Sequence, residues 1–313
     1  VPCTQPLRAY RARGGSVVFN RVEATGPPFD LPCGQCRGCR IQRSQEWAVR
    51  CVHEAQMHTR YDQVLKERVP CNAFVSLTYR DEDLPEGGSL DVRDWQLFAK
   101  RLRKKFPFRY FQCGEYGDTN RRPHHHALLF GVDFCDDRYF WRNRRGHRYY
   151  RSATLEEAWQ KGNCEFSDVT LQSAAYVARY CVKKMSNPQA ENPDVRFEQE
   201  KKFAKYERFD DETGEVYYVR PEFVTMSRDP AIGVSWLKKF RSDVFPSDEV
   251  IHEGRRYRTP RRYDDVLDEL ELDEVKAGRR DKVRKHAKDL TADRLVVREK
   301  LLNKRVGRLL RDV

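Results

Sequence analysis

Apolar and polar positions alternate along this chain with periods that change from block to block. In SQEWAVRCVHEAQMHTRYDQVLKER (44–68), Trp47, Cys51 and Ala55 recur every four residues behind Ser44, a residue suited to capping, and this predicts a helix. AFVSLTY (73–79) predicts a strand and DEDLPEGGS (81–89) a loop. Over 90–106 a second helix places Val92, Trp95, Phe98, Ala99 and Leu102 on one face. FRYFQCGEY (108–116) and HHHALLFGV (124–132) read as two strands, and the short GDTNRRP connection makes them an antiparallel hairpin. A helix near 171–185 gathers Ala174, Ala178, Cys181, Val182 and Met185 on its apolar side. The class expected is α+β, a central antiparallel sheet with flanking helices. Residues 1–40 are Gly/Pro/Cys-rich and read as irregular, and no internal repeat is visible. The expected division is a Cys-rich region with its helix (1–68), a core (69–190), an accessory segment (191–250) and a charged helical tail (251–313).

Composition changes this picture in one direction. The 313 residues carry 35% charged side chains and a net charge of +12, with a mean hydropathy of −0.86. No apolar run reaches transmembrane length and VPCTQPLRAYRARGG has no hydrophobic centre, so neither a membrane span nor a signal peptide is expected. The positive charge favours a polyanionic partner, nucleic acid ahead of a membrane surface. Two segments carry it. DDVLDELELDEV (264–275) holds seven acids, and Lys276 to Val313 holds fourteen Lys/Arg against five Asp/Glu. These read either as helical segments that neutralise each other or as a DNA-contacting tail. RYFWRNRRGHRYYR (138–151) interleaves Arg138, Arg142, Arg144, Arg145 and Arg148 with aromatic rings. Guanidinium groups beside rings that stack on bases suit single-stranded nucleic acid, and a solvated hairpin is the plainer alternative.

Candidate chemistry sits in the core. On a strand, His124 and His126 share one face while His125 points away. Two imidazoles at that spacing can hold a divalent cation, and Glu115 on the neighbouring strand is the carboxylate nearest to completing the set. A loop centred on Asn120 would set Glu115 opposite His125, on the wrong face. A bulge or a one-residue shift, hosted by Gly114 or Gly117, repairs this. On the helix of SAAYVARYCVKKM (173–185), with Tyr176 at zero, Tyr180 lies at about 40°, Lys183 at about −20° and Lys184 at about 80°, one polar face. A tyrosine of pKa ~10 is a poor nucleophile. Beside a metal-polarised phosphodiester and a lysine that favours phenolate, it can attack phosphorus. The product is a phosphotyrosyl bond that keeps the energy of the cleaved linkage.

Three segments in order, FVSLTY, GEYGDTNRRPHHHALLF and YVARYCVKK, resemble the motifs of replication initiators of the Microviridae, most closely the gokushovirus type, within the HUH endonuclease superfamily. PCGQCRGCRIQRSQEWAVRCVHEA (32–55) and TMSRDPAIGVSWLKKF (225–240) are similar to further segments of that family. His125 departs from its pattern, standing where the family has a hydrophobic residue. The resemblance implies a ferredoxin-like central sheet with His124, His126 and Glu115 holding Mg2+ or Mn2+, Tyr176 and Tyr180 as nucleophiles, and Lys183 assisting. It implies rolling-circle initiation in the cytoplasm of a bacterial host. The enzyme would nick the origin of the double-stranded viral DNA, prime from the free 3′-OH, then cut and circularise the displaced strand. A host polymerase would be needed, and a host helicase too, since no G-x4-G-K-[ST] loop is present. DNA contacts are expected from Arg142, Arg144, Arg145 and Lys184.

Cys33, Cys36 and Cys39 form C-x2-C-x2-C, three thiolates from one tight loop. With a fourth ligand from Cys3, Cys51 or His53 they would make a structural Zn2+ site, and free thiols are the alternative. Cys71, Cys113, Cys135, Cys164 and Cys181 are scattered and read as small core residues. Two rival classes remain: a zinc-containing DNA-binding protein without catalysis, and a related HUH relaxase or transposase.

Overall fold

Leu7–Arg11 (β1), Val17–Val18 (β2) and Phe29–Leu31 (β3) form a small antiparallel sheet in the order β2-β1-β3, in a segment whose sequence reads as irregular. Only Ala9 of β1 is buried, so no alternation of apolar positions announces these strands. The computed structural model describes residues 3–117, 120–144, 146–183, 204–210 and 213–309, divided into two units, 1–44 with 267–313, and 45–266. In the first unit the tail is helical, as expected, over Glu269–Lys285 and Ala292–Leu309. Asp268 and Glu271 close a capping box at the first helix, which has Glu269 and Glu271 in its first turn and Lys282, Arg284 and Lys285 in its last. Ion pairs Lys276–Asp273 and Arg284–Asp281 run within that helix. The second helix returns to the N-terminal segment: Thr4 and Gln5 donate to Glu299, and Arg37 to Asn303.

Helix α1 (Arg37–Gln56) starts earlier and ends earlier than its periodicity predicts. Thr59–Asp62 (β4) and Glu67–Pro70 (β5) make a hairpin instead of about three further helical turns. Asp62 accepts the N–H groups of Val64 and Leu65, which fixes the reversal.

The larger unit is built on a seven-stranded antiparallel sheet. Its elements are Asn72–Thr78 (β6), Val92–Leu102 (α2), Arg109–Tyr116 (β7), Pro123–Phe130 (β8), Arg138–Arg144 (β9), His147–Ser152 (β10), Ala153–Trp159 (α3), Cys164–Ser167 (β11) and Leu171–Lys183 (α4). Glu207–Phe209 (β12) and Val216–Tyr218 (β13) form a separate hairpin, and Phe223–Met226 (β14) joins the sheet. The strand order is β14-β7-β8-β6-β11-β10-β9. Both faces are covered, because alternate residues of the central strands are apolar on each side. Ala73, Val75, Leu77, Ala127 and Leu129 pack with Trp95, Phe98 and Leu102 of α2 and Leu155 and Trp159 of α3. Phe74, Phe111, Leu128 and Phe130 pack on the other face with Ala48, Cys51 and Val52 of α1 and Ala174, Val177 and Ala178 of α4. The second face is apolar at one end and carries the ionisable cluster at the other. Among the described residues no helix is long and apolar enough to cross a membrane.

The hairpin register decides what meets the histidines. Tyr116 pairs with Pro123, so the loop spans six residues (117–122) and Glu115 lies directly opposite His124. The ladder is continuous and no bulge forms at Gly114 or Gly117. The one-residue shift comes from the loop, closed by Gly117 N–H to the Arg122 carbonyl and Arg121 N–H to the Gly117 carbonyl, both 3.0 Å. Gly114 has a different use. A Cβ there would sit 2.8 Å from the Phe223 ring, so its absence lets β14 lie against β7.

Candidate active site

Glu115, His124 and His126 converge at the end of β7 and β8 beside α4. His124 Nε2 lies 3.0 Å and His126 Nε2 3.1 Å from Glu115 Oε1. The carboxylate is 2% exposed, and all three ligand atoms lie within 4.8 Å of one another. Burial alone would raise the Glu115 carboxyl, but the hydrogen bonds and charge of the two imidazoles outweigh it and hold the group far below the usual carboxylate range. His126 is pushed down, chiefly by burial, against the pull of Glu115.

The donor set fits a divalent cation. His124 Nδ1 lies 3.0 Å from the Arg122 carbonyl, which can only accept, so Nδ1 carries the proton. A neutral His124 then turns an Nε2 lone pair toward a carboxylate oxygen, an unfavourable meeting of two acceptors unless a cation or a second proton lies between them. Bonds of ~2.1 Å at right angles would separate ligand atoms by about 3.0 Å, as found here. His126 is oriented by Ser76 Oγ, 2.9 Å from its Nδ1, and packs against Phe74. Such outer contacts fix ring orientation in metal sites.

Tyr176 completes the cluster from α4. Its phenol donates to Glu115 Oε1 at 3.0 Å and lies 3.4 Å from His126 Nε2. The Arg179 guanidinium sits 4.8 Å from the Tyr176 ring centroid, one helical turn on. A tyrosine oxygen is thus held beside three atoms that could ligate a metal. The sequence singles out Tyr176 but passes over Ser76 and Arg179. A serine inside the apolar FVSLTY strand and an arginine three residues after Tyr176 were the available signals. Tyr180 and Lys183 belong to α4 by backbone, but their side chains, with Lys184 and Arg145 as whole residues, lie outside the described residues.

His125 is not part of the set. It is wholly buried on the other face, with Nε2 3.0 Å from Tyr79 Oη and Nδ1 3.2 Å from Gln112 Nε2. This resolves which pair of the three histidines faces the carboxylate. Burial pushes the His125 imidazole down to about 3. Arg142 and Arg144 lie on β9, far along the sheet, and Arg142 pairs with Glu165 at 2.7 Å.

The smaller unit holds a second group. Cys3 joins Cys33, Cys36 and Cys39, with all four sulfurs within 4.8 Å. Sulfur separations of 3.8 Å (Cys3–Cys33) and 4.0 Å (Cys3–Cys36) match the ~3.8 Å expected for a tetrahedral ion with bonds of about 2.3 Å. N–H groups of Thr4, Cys33, Cys36 and Cys39 point at the sulfurs. Burial would raise the Cys36 thiol, yet the Thr4 and Cys39 donors bring it down to about 6. Of the other two candidates for the fourth ligand, Cys51 is buried against the sheet and His53 stacks on Trp236 at 3.5 Å. Among the scattered cysteines, Cys113 and Cys164 are core residues as expected. Cys71 is half-buried and Cys135 is exposed at a turn, contrary to that expectation, while the Cys181 side chain lies outside the described residues.

The chain is 30% identical to the replication-associated protein VP4 of Bdellovibrio phage phiMH2K over 276 residues, covering 84% of this chain and 76% of the relative. It belongs to the phage replication-associated proteins. This replication-associated protein is also 26% identical to ORF2 of Spiroplasma virus 4, over 90% of this chain and 87% of that one. It is 26% identical to ORF4 of Chlamydia phage 1, over 77% of this chain and 54% of that one. The family described as Replication-associated protein ORF2/G2P matches residues 72–185, which enclose Glu115, His124, His126 and Tyr176. No solved structure matches.

Proposed function

We propose that this protein is a metal-dependent, site-specific single-strand DNA endonuclease and strand transferase of the HUH type, which starts rolling-circle replication of a small single-stranded DNA phage. The observation that carries this reading is the Tyr176 phenol at 3.0 Å from Glu115 and 3.4 Å from His126. Apart from the β9–β10 hairpin inserted between β8 and α3, the order β6-α2-β7-β8-α3-β11, with β7-β8-β6-β11 adjacent in the sheet, agrees with the ferredoxin-like core that the reading requires. A zinc-containing protein that only binds DNA would account for the cysteines and the charge but has no use for this cluster.

Glu115, His124 and His126 would hold Mg2+ or Mn2+, both of which accept imidazole with carboxylate. That ion supplies Lewis-acid polarisation of a phosphate oxygen. Tyr176 Oη attacks phosphorus and gives up its proton to water as the O–P bond forms. The P–O3′ bond breaks, and the 3′ oxygen takes a proton from water to leave as a 3′-OH. Arg179 supplies positive charge beside the ring where phenolate develops, and Lys183 is the lysine that would assist. In the reverse direction a 3′-OH attacks the phosphotyrosine and restores both phosphodiester and phenol. Tyr180, one turn from Tyr176, is the second nucleophile that repeated rounds require. A structural Zn2+ on the four cysteines would stabilise the N-terminal unit, and Arg142, Arg144, Arg145 and Lys184 would meet DNA. The partners are viral origin DNA and a host helicase and polymerase.

The test is mass spectrometry of covalent adducts formed on an origin oligonucleotide with Mn2+. Wild type should carry DNA on Tyr176 or Tyr180, and the double Tyr176→Phe/Tyr180→Phe variant on neither. His124→Ala/His126→Ala should form no adduct while still binding duplex. Undiminished nicking by that histidine variant, or in EDTA, would overturn the reading.

A further inference from the structure

The β9–β10 hairpin at the far edge of the sheet is unlike the rest of the unit. All seven residues of β9 are exposed, and Tyr139, Phe140 and Trp141 stand 51%, 57% and 49% open. Three open rings on an unpaired edge invite aggregation unless something covers them. The hairpin itself is basic: residues 138–152 contain six arginines and no acid, and Arg142 and Arg151 pair with Glu165 and Glu156 outside it. Arginine and ring are already paired here. Arg151 lies 5.0 Å from the Trp141 centroid, Arg138 5.3 Å from Tyr150 and Arg142 5.8 Å from Tyr149.

A row of neighbouring polar residues leads from the cluster to this hairpin. His126 meets Ser76 at 2.9 Å, Ser76 pairs with Glu165 across β6 and β11, and Glu165 binds Arg142 at 2.7 Å. The row lies on the face of the sheet that carries His124 and His126. From β8 to β9 it crosses four strand spacings, about 19 Å at ~4.8 Å each. Stacked nucleotides rise ~3.4 Å, so this distance corresponds to about six of them.

We propose that the β9–β10 hairpin is a binding track for single-stranded DNA, with Trp141 stacking on a base and Arg142 and Arg144 meeting phosphates some six nucleotides from the scissile one. This deepens the nicking reading and rests on it for the direction of the strand. A peptide adding a strand to β9 would use backbone groups and would gain little from six arginines, whereas a polyanion with exposed bases uses both features.

The experiment is fluorescence anisotropy of the full-length protein with labelled dT15 in EDTA, where no cleavage intervenes. Trp141→Ala should weaken dT15 binding roughly 5- to 150-fold, the usual range for one lost stacking partner. Trp141→Phe should restore most of it, and duplex of equal length should bind Trp141→Ala as it binds wild type. Arg142→Ala/Arg144→Ala should lower the slope of log K against log salt by about 1.4. Arg144→Ala alone, an exposed change that leaves the Glu165 pair intact, should lower it by about half as much. The same ratios in a His124→Ala/His126→Ala background would show the track to stand independently of the chemistry. Wild-type dT15 affinity in both Trp141→Ala and Arg144→Ala, whether or not β9 captures a peptide, would overturn the proposal.

Discussion

Replacing His125 with leucine separates two uses of a histidine that look alike in HHH. The structure gives the expected cost. Thr225 donates to Gln112 Oε1 at 2.7 Å, so the Gln112 amide nitrogen faces His125 and donates to Nδ1. His125 Nε2–H then donates to Tyr79 Oη, which donates to Asp94 at 2.9 Å, and Lys161 pairs with Asp94 at 3.2 Å. Leucine breaks this chain in the middle. Tyr79 keeps its acceptor, but the wholly buried Gln112 loses one, and a buried donor left unpaired costs ~1–3 kcal/mol. The fill of the site is nearly conserved, so little cavity penalty is added. For a unit of this size that corresponds to a fall of about 2–10 °C in melting temperature. The assay is calorimetry beside a Mn2+ titration of nicking at 20 °C. Stability should fall while the half-saturating Mn2+ concentration stays within about twofold of wild type. An unchanged melting temperature with a tenfold rise in the Mn2+ requirement would place His125 at the metal and refute the reasoning.

Two further outcomes are expected. Purified protein should retain about one zinc per chain by elemental analysis, and Cys36→Ser should lower the melting temperature while low-temperature nicking persists; a metal-free preparation of normal stability would contradict this. His53 is buried against Trp236 with its pKa pushed down to about 3 by burial and by His252. The unfolded chain therefore takes a proton below pH ~6.5 that the folded chain refuses until about pH 3, and stability falls through that window as pH drops. Urea unfolding from pH 7 to pH 4 should show His53→Gln with a slope shallower by up to one proton, and equal slopes would count against the assignment.

How much of this was legible depends on the range of each signal. β6, β7, β8 and α4 could be read because periods of two and 3.6 recur over seven residues or more, with apolar positions packed on both sheet faces. The pairing of His124 with His126 followed from the same period. Glu115 did not, since its face depends on whether the 117–122 loop holds an odd or even number of residues. Pro123, which opens β8 rather than closing the loop, settles that parity. β4–β5 was lost inside a helical pattern for a related reason: Asp62 stops the chain through a local turn that periodicity does not register. Contacts at long sequence separation were less visible still. Cys3 reaches Cys33 because Leu7 pairs with Leu31 in a sheet with a single buried β1 residue, and Arg142 reaches Glu165 across two strands. Spacing within a motif is a covalent fact, whereas the partner that completes a site is chosen by strand pairing. Each candidate site here is therefore half a local motif and half a product of register. Moving the β7–β8 register by one residue should abolish metal binding as surely as removing a histidine. Deleting Asn120 would test this: it should cost the Mn2+ site while leaving the tetra-cysteine zinc in place.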